Sequence, residues 1–255
     1  MLLATLFAVW LKPQCFREIN TVYEAIILAG GFGTRLREAV PDLPKPMAPI
    51  ADKPFLAWQL DYLMQLGVSR FILSVGYKAQ TIRDYFGSEY QGAAIVYVEE
   101  TEPLGTGGAI QYALTKVTHP RVFVLNGDTL CATDLGKLRA LTSNNPKAVG
   151  IAVKHVENAG RYGAIAFDEL TKLVTRFGEK SSVDSGYINA GIYDVPATLL
   201  HQVAIPTPFS FEAGVIQHLV GNNLYAQVSG DFFIDIGIKE DFLSAQTLIP
   251  AFINH

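Results

Sequence analysis

The sequence predicts an α/β fold in which helices cover both faces of a parallel sheet that a less regular second half extends. Three observations lead to it. Short apolar runs alternate with amphipathic helical patterns through the first half. The first of those runs opens directly into a loop with glycines at 30, 31 and 33. The second half carries four further strand patterns with few long helices between them.

Taken in order, residues 25–29 form an apolar run that reads as a buried strand. Leu56, Leu60, Leu63 and Met64 are spaced for one helical face, which Gly67 closes. Residues 71–75 predict the next strand, 79–86 a helix stopped by Gly87, and 95–98 another strand. Residues 108–117 predict a helix and 122–125 a buried strand. Strands are predicted again at 149–153, 164–167, 188–193 and 232–236, which suits a mixed sheet. Only about 19 residues follow Ile236, too few for an appended repeat domain.

Composition narrows the function classes. Of 255 residues, 49% are apolar and 17% charged, as in ordinary globular proteins. The net charge of −4 gives no electrostatic footprint for nucleic acid, yet a local loop can still hold a small anion. Cys15 and Cys131 make neither a zinc set nor a disulfide framework, so a reduced cytosol is the simplest setting. Residues 2–11 are nearly all apolar, but a run of about 10 is too short to span a bilayer. No Lys or Arg precedes it and no clear Ala-x-Ala site follows, so residues 1–22 read as an extension outside the fold rather than a targeting signal.

The glycine loop carries the first chemistry. Backbone without side chains can bring several N–H groups close to a phosphate chain, and Arg35 adds a fork-shaped charge suited to phosphate oxygens. The loop is not a P-loop, because no lysine follows at the required spacing. It is not the dinucleotide fingerprint either, since the third glycine position holds Leu36. Four prolines between Pro41 and Pro49 predict an extended path that presents Lys45. Asp128 follows an apolar strand directly, and Asp235 stands inside another apolar run. Two such carboxylates with nucleotide phosphates could hold Mg²⁺, although each aspartate alone could equally cap a loop. The five histidines and two cysteines form no nucleophile–base pair.

Five segments in register resemble the sugar nucleotidyltransferases, also called NDP-sugar pyrophosphorylases. They are Leu28-Ala-Gly-Gly-Phe-Gly-Thr-Arg-Leu36, Pro44-Lys-Pro-Met47, Glu100-Thr-Glu-Pro-Leu-Gly-Thr-Gly-Gly108, Asn126-Gly-Asp128 and Phe233-Ile-Asp-Ile-Gly237. The likeness runs from about residue 24 to 243. A narrower likeness, to members that join GTP to D-glycero-α-D-manno-heptose 1-phosphate, is carried by five shorter stretches. These are Pro44-Lys-Pro-Met-Ala-Pro49, Asp52-Lys-Pro-Phe-Leu56, Pro103-Leu-Gly-Thr-Gly-Gly-Ala109, Arg161-Tyr-Gly163 and Phe209-Ser-Phe-Glu212.

The resemblance implies a Rossmann-like three-layer sandwich with a mostly parallel mixed sheet. It implies one domain over 23–255, with a nucleotide-binding half to about 130 and a sugar-phosphate half over about 131–245. It assigns the nucleotide to Leu28, Gly30, Gly31, Gly33, Thr34, Glu100, Gly105 and Thr106. It assigns catalysis to Arg35, Lys45 and Lys180, Mg²⁺ to Asp128 and Asp235, and the sugar phosphate to Tyr162, Gly163, Glu179, Asn189 and Gly191. The implied partners are a nucleoside triphosphate and a sugar 1-phosphate, with no nucleic acid and no membrane; a homo-oligomer is left open. Other pairings fit the same residues: mannose 1-phosphate with GTP, or a hexose or amino-sugar phosphate with UTP, CTP or dTTP. So does a non-catalytic nucleotide-sugar-binding subunit, whereas an NAD-dependent oxidoreductase lacks its third glycine.

Overall fold

Buried apolar residues on both faces of a strand require helices above and below it, and β1 (Tyr23–Leu28) has them. The structure is a computed structural model that describes residues 22–31, 36, 40–157, 159, 163–180, 185–201 and 203–254, without the side chains of 179 and 180. The N-terminal extension up to residue 21 lies outside the described residues, as do Gly33, Thr34, Arg35 and Tyr162. After β1 come β2 (Pro49–Ile50), β3 (Lys53–Pro54), α1 (Phe55–Gln65), β4 (Val68–Val75), α2 (Ala79–Phe86), β5 (Glu89–Tyr90) and β6 (Ala93–Glu99). Next are α3 (Gly105–Leu114), β7 (Arg121–Asn126), β8 (Thr129–Cys131), α4 (Leu135–Thr142), β9 (Val149–Val156), β10 (Gly163–Phe167) and β11 (Val174–Lys180). The chain ends with β12 (Gly186–Pro196), α5 (Gln217–Leu219), β13 (Leu224–Val228), β14 (Phe233–Asp235) and α6 (Lys239–Ile253).

Ten of the described strands form one mixed sheet. Its order is β11-β10-β12-β7-β1-β4-β6-β5, with β9 paired to β12 and β13 to β9. The pairs β7–β1, β1–β4 and β4–β6 are parallel, as the alternating first half predicts. From β12 onward the pairs with β7, β9 and β10 are antiparallel. Successive residues of β1 feed opposite cores. Ala25 and Ile27 pack with α1 and α2 residues such as Leu56, Leu60 and Ile82, while Ile26 packs with Ile110 and Ala113 of α3. A third cluster joins α6 (Phe242, Ala245, Ile249) to Ile50, Trp58 and Ile234. This is an α/β three-layer arrangement.

Three expectations change. The helix predicted over 108–117 runs over Gly105–Leu114 instead. Glycine is a poor helix former, so the sequence pattern excludes a first turn that tertiary packing supplies. Residues 45–47 form a 3₁₀ turn rather than an extended path. Its hydrogen bonds, Met47 N to Pro44 O at 2.8 Å and Ala48 N to Lys45 O at 3.0 Å, draw on residues that keep their N–H, so the prolines do not oppose it. The strand predicted over 232–236 shortens to Phe233–Asp235 and leaves the main sheet, pairing only with β8.

At the amino end of β1, Glu24 is fully buried and binds Arg70, the N–H (2.8 Å) and hydroxyl (2.7 Å) of Thr118, and His119 N (2.9 Å). Burial alone raises its pKa, but the hydrogen bonds from Thr118 and His119 outweigh it and hold the carboxyl at about 2. A depressed carboxyl stabilises the fold above its ordinary value of 4.5, and that contribution is lost as pH falls toward 2. Glu24→Gln is therefore expected to cost about 3 kcal/mol at pH 7. Urea denaturation should show the gap from the unaltered chain closing between pH 4.5 and 2.

Candidate active site

The site follows from where the parallel strands stop. Leu28 stands opposite Ser74 of β4 and Asn126 of β7, and Val75 opposite Glu99 of β6, so the carboxyl ends coincide. Ligands of open α/β sheets bind along this edge. A cavity of about 670 Å³ opens there, and Leu28, Gly30, Gly31, Lys45, Glu100, Gly105, Thr106 and Asp128 all line it. The backbones at its floor touch closely. A Cβ on Gly30 would come within 2.8 Å of Glu100 Oε1, and one on Gly127 would overlap the Leu28 carbonyl. Gly127 lets the 126–128 turn pack main chain to main chain on β1, and Gly30 leaves room for the Glu100 carboxylate.

The two aspartates meet through the small β8–β14 ribbon. Its register sets Asp235 opposite Thr129, and Ile236 N donates to Asp128 O at 3.0 Å. Lys45 Nζ lies between the two carboxylates, 2.5 Å from Asp128 Oδ2 and 3.7 Å from Asp235 Oδ1. Burial, and then the Asp128 charge, push the Asp235 carboxyl above its ordinary pKa, against the pull of Lys45. Two acid oxygens thus converge on one positive charge, a donor set suited to a divalent ion. No cluster of three or more metal-ligating side chains occurs among the described residues. Asp128 and Asp235 could hold a divalent ion that completes its shell with water and substrate phosphate. Lys45 also lines the cavity, where the sequence reading expects it to meet phosphate.

Glu100 is fixed from two sides: Ser74 Oγ donates to Oε1 and Leu104 N to Oε2, each at 3.1 Å. Its remaining lone pairs are open to a ligand in the cavity. Gly105 begins α3 with φ +71°, and a Cβ there would overlap the Phe209 backbone. A Cβ on Gly107 would overlap the Phe209 ring. The Gly-Thr-Gly-Gly stretch is therefore a seat for Phe209, which donates its N–H to Leu104 O (3.1 Å) and accepts from Gly107 N (2.9 Å). Thr106 Oγ1 accepts from Phe211 N at 2.8 Å and donates to Glu212 Oε2 at 3.2 Å.

On the sugar-phosphate side, β10 and β11 pair Gly163 with Lys180, so Gly163 lies beside the Glu179-Lys180 backbone. Tyr162 and the side chains of Glu179 and Lys180 are outside the described residues. Asn189 Oδ1 accepts from Gly191 N at 2.9 Å and Nδ2 donates to Tyr193 OH at 2.5 Å, so its polar atoms serve its own bend. Gly191 has φ +69°, and a Cβ there would press on Asn126. Gly163, Asn189 and Gly191 do not line the cavity. Twelve lining residues escape the sequence assignment, among them Gly76, Tyr77, Asn126 and Glu212. Asn126 and Glu212 stand inside motifs already quoted, and Gly76 follows β4 immediately. Glu212 opens a π-helical turn (Glu212–Ile216) and accepts from Thr106, Ser210 and Tyr193, a short element of the kind that recurs at functional sites.

Comparison with known proteins fits this geometry. The family described as nucleotidyl transferase matches residues 24–251. The D-glycero-alpha-D-manno-heptose 1-phosphate guanylyltransferase of Campylobacter jejuni is 42% identical over 219 residues, 86% of this chain and 96% of the relative. The enzyme of the same name from Aneurinibacillus thermoaerophilus is 40% identical over 231 residues, 90% of this chain and all of the relative. The crystal structure of HddC from Yersinia pseudotuberculosis complexed with GMP-PN superposes with a TM-score of 0.77 at 36% identity, covering 88% of this chain and 98% of that one. With the family match spanning the sheet and all the acids at its carboxyl edge, the chain belongs to the nucleotidyl transferase family.

Proposed function

We propose that this chain is a sugar-1-phosphate guanylyltransferase that joins GTP to D-glycero-α-D-manno-heptose 1-phosphate, releasing pyrophosphate and GDP-heptose. The observation that carries the reading is the carboxyl-edge cavity, lined by side-chain-free backbone, an anchored Glu100, Lys45 and Asp128, with Asp235 Oδ1 3.7 Å from Lys45 Nζ although Asp235 itself does not line it. The names borne by relatives at 40–42% identity support the sugar and the base. Glu100 suits guanine, because a carboxylate can accept from both N1–H and the 2-amino group. A reaction between a nucleoside triphosphate and a sugar phosphate suits a cytoplasmic enzyme.

In this reading an oxygen of the sugar phosphate attacks the α-phosphorus in line. One P–O bond forms, the bond to the β-phosphate bridge breaks, and pyrophosphate leaves with the electron pair. The nucleophile is already anionic, so no general base is needed, and the barrier is repulsion between anions. Lys180 holds the sugar phosphate, while Arg35 and Lys45 neutralise the charge on the departing pyrophosphate. Asp128 and Asp235 would hold Mg²⁺, which when bound supplies charge stabilisation at the α-phosphate. Glu179, with Tyr162, Gly163, Asn189 and Gly191, shapes the sugar side.

Pyrophosphate release should be measured for GTP, ATP, UTP, CTP and dTTP against manno-heptose, mannose and glucose 1-phosphates. GTP with the heptose phosphate should give the highest kcat/KM. A preference for UTP with a hexose phosphate would refute the substrate assignment. Within the same assay, Lys180→Ala is expected to raise KM for the sugar phosphate by about tenfold or more and leave KM for GTP unchanged. Unchanged sugar-phosphate kinetics would remove Lys180 from the site.

A further inference from the structure

Helix α1 holds both halves of the acid–lysine cluster through two adjacent residues. Trp58 Nε1 donates to Ile50 O at 2.9 Å, and Phe55 N to Ala48 O at 2.9 Å, which fixes the segment that follows Lys45. Gln59, 1% exposed, donates through Nε2 to Asn126 O and to Thr129 O, both at 2.8 Å. Those two carbonyls bracket the turn that carries Gly127 and Asp128. Both protons of one amide nitrogen are thereby committed to the turn. The other end of the amide, Oε1, is buried and has no hydrogen-bond partner among the described residues. A buried acceptor without a donor costs on the order of 1–3 kcal/mol, so the amide is held here at some cost to stability. What the amide supplies is the grip on the turn.

We propose that Gln59 is a positioning residue that sets the Asp128 carboxylate for divalent-cation binding, acting through the main chain on either side of it. The proposal rests on the reading of Asp128 as a metal-binding carboxylate. Through Gln59 and Trp58, one rigid helix fixes the separation between the Lys45 segment and the Asp128 turn, whose side chains meet at 2.5 Å. Without the amide, the turn keeps Gly127 N to Leu28 O (3.1 Å) and Ile236 N to Asp128 O (3.0 Å), so it stays folded but loses its hold on the α1 side. Supporting partners of metal ligands commonly set affinity by 10–100-fold.

The test is Mn²⁺ binding, read from the free-ion paramagnetic resonance signal in the presence of GTP and without sugar phosphate. Gln59→Met, of similar length and without donors, is expected to raise the Mn²⁺ Kd about tenfold. The Mg²⁺ concentration for half-maximal turnover should rise in step, with KM for the sugar phosphate unchanged. Leu60→Ala, a neighbouring core residue of α1, should lower Tm and leave the Mn²⁺ Kd as it is, which separates positioning from general destabilisation. Should Gln59→Met not accumulate folded, Gln59→Asn, whose shorter amide cannot span both carbonyls, carries the same expectation. Unchanged Mn²⁺ affinity in the Gln59 variant, while Asp128→Asn loses it, overturns the proposal alone. Unchanged affinity in Asp128→Asn overturns the metal reading and the proposal with it.

Discussion

Asp128→Asn should reduce turnover by about 10³-fold and leave the fold intact. The carboxylate sits at the carboxyl edge of the sheet, 2.5 Å from Lys45 and beside Asp235. Neutralising it removes half of the acid pair that would hold Mg²⁺ and releases Lys45 from its nearest counter-charge. Stability should barely respond, because the lost ion pair is partly solvated and Lys45 keeps Asp235 at 3.7 Å. Main-chain bonds of the turn are untouched by the change. Asp235→Asn is expected to behave alike in turnover. Steady-state kinetics with Mg²⁺ and a thermal melt decide the matter: near-normal turnover in both variants means the metal assignment is wrong.

Asp194→Asn should produce the opposite pattern, a large loss of stability with normal turnover per folded molecule. Asp194 on β12 is fully buried and accepts from Arg121 Nε at 2.8 Å, Arg139 Nε at 2.7 Å and Thr142 Oγ1 at 2.5 Å. One carboxylate thus answers two guanidiniums, one of which already has a buried nitrogen, Nη2 of Arg139, without a partner among the described residues. An asparagine would leave both cations unpaired in a site with little water. Breaking a buried pair in this way costs about 3–5 kcal/mol. Asp194 stands opposite Phe123, roughly 10 Å along β7 from Asn126 and the cavity, so the chemistry should be spared. Urea denaturation checks the first half of the claim; a change below about 1 kcal/mol would contradict it.

These two residues mark how far the sequence could be read. Asp128 was legible because an acid directly after an apolar strand is a local signal, and Gly30, Gly31 and Lys45 carry signals of the same kind. The parallel strands were legible because burial on both faces makes them continuous apolar runs. Asp194 sits in just such a run, yet its partners are 73 and 55 residues away, and periodicity reports burial without naming partners. The same distance hides Gln59, whose two contacts are 67 and 70 residues off. Phe209 explains the glycines at 105 and 107 in a way no local pattern could, since its backbone crowds the first and its ring the second, from about 100 residues later in the chain. Asn189 shows the converse. Its position in a recognised segment points to the sugar, while its described bonds go to Gly191 and Tyr193.

The central claim is nucleotidyl transfer at the α-phosphate of GTP to a heptose 1-phosphate. Phosphorus magnetic resonance of one incubation, GTP with D-glycero-α-D-manno-heptose 1-phosphate and Mg²⁺, tests it directly. The expected result is GDP-heptose and pyrophosphate appearing in equal amounts, with nothing formed when the sugar phosphate or the metal is withheld. GDP with inorganic phosphate, or pyrophosphate released without the sugar phosphate, would contradict it.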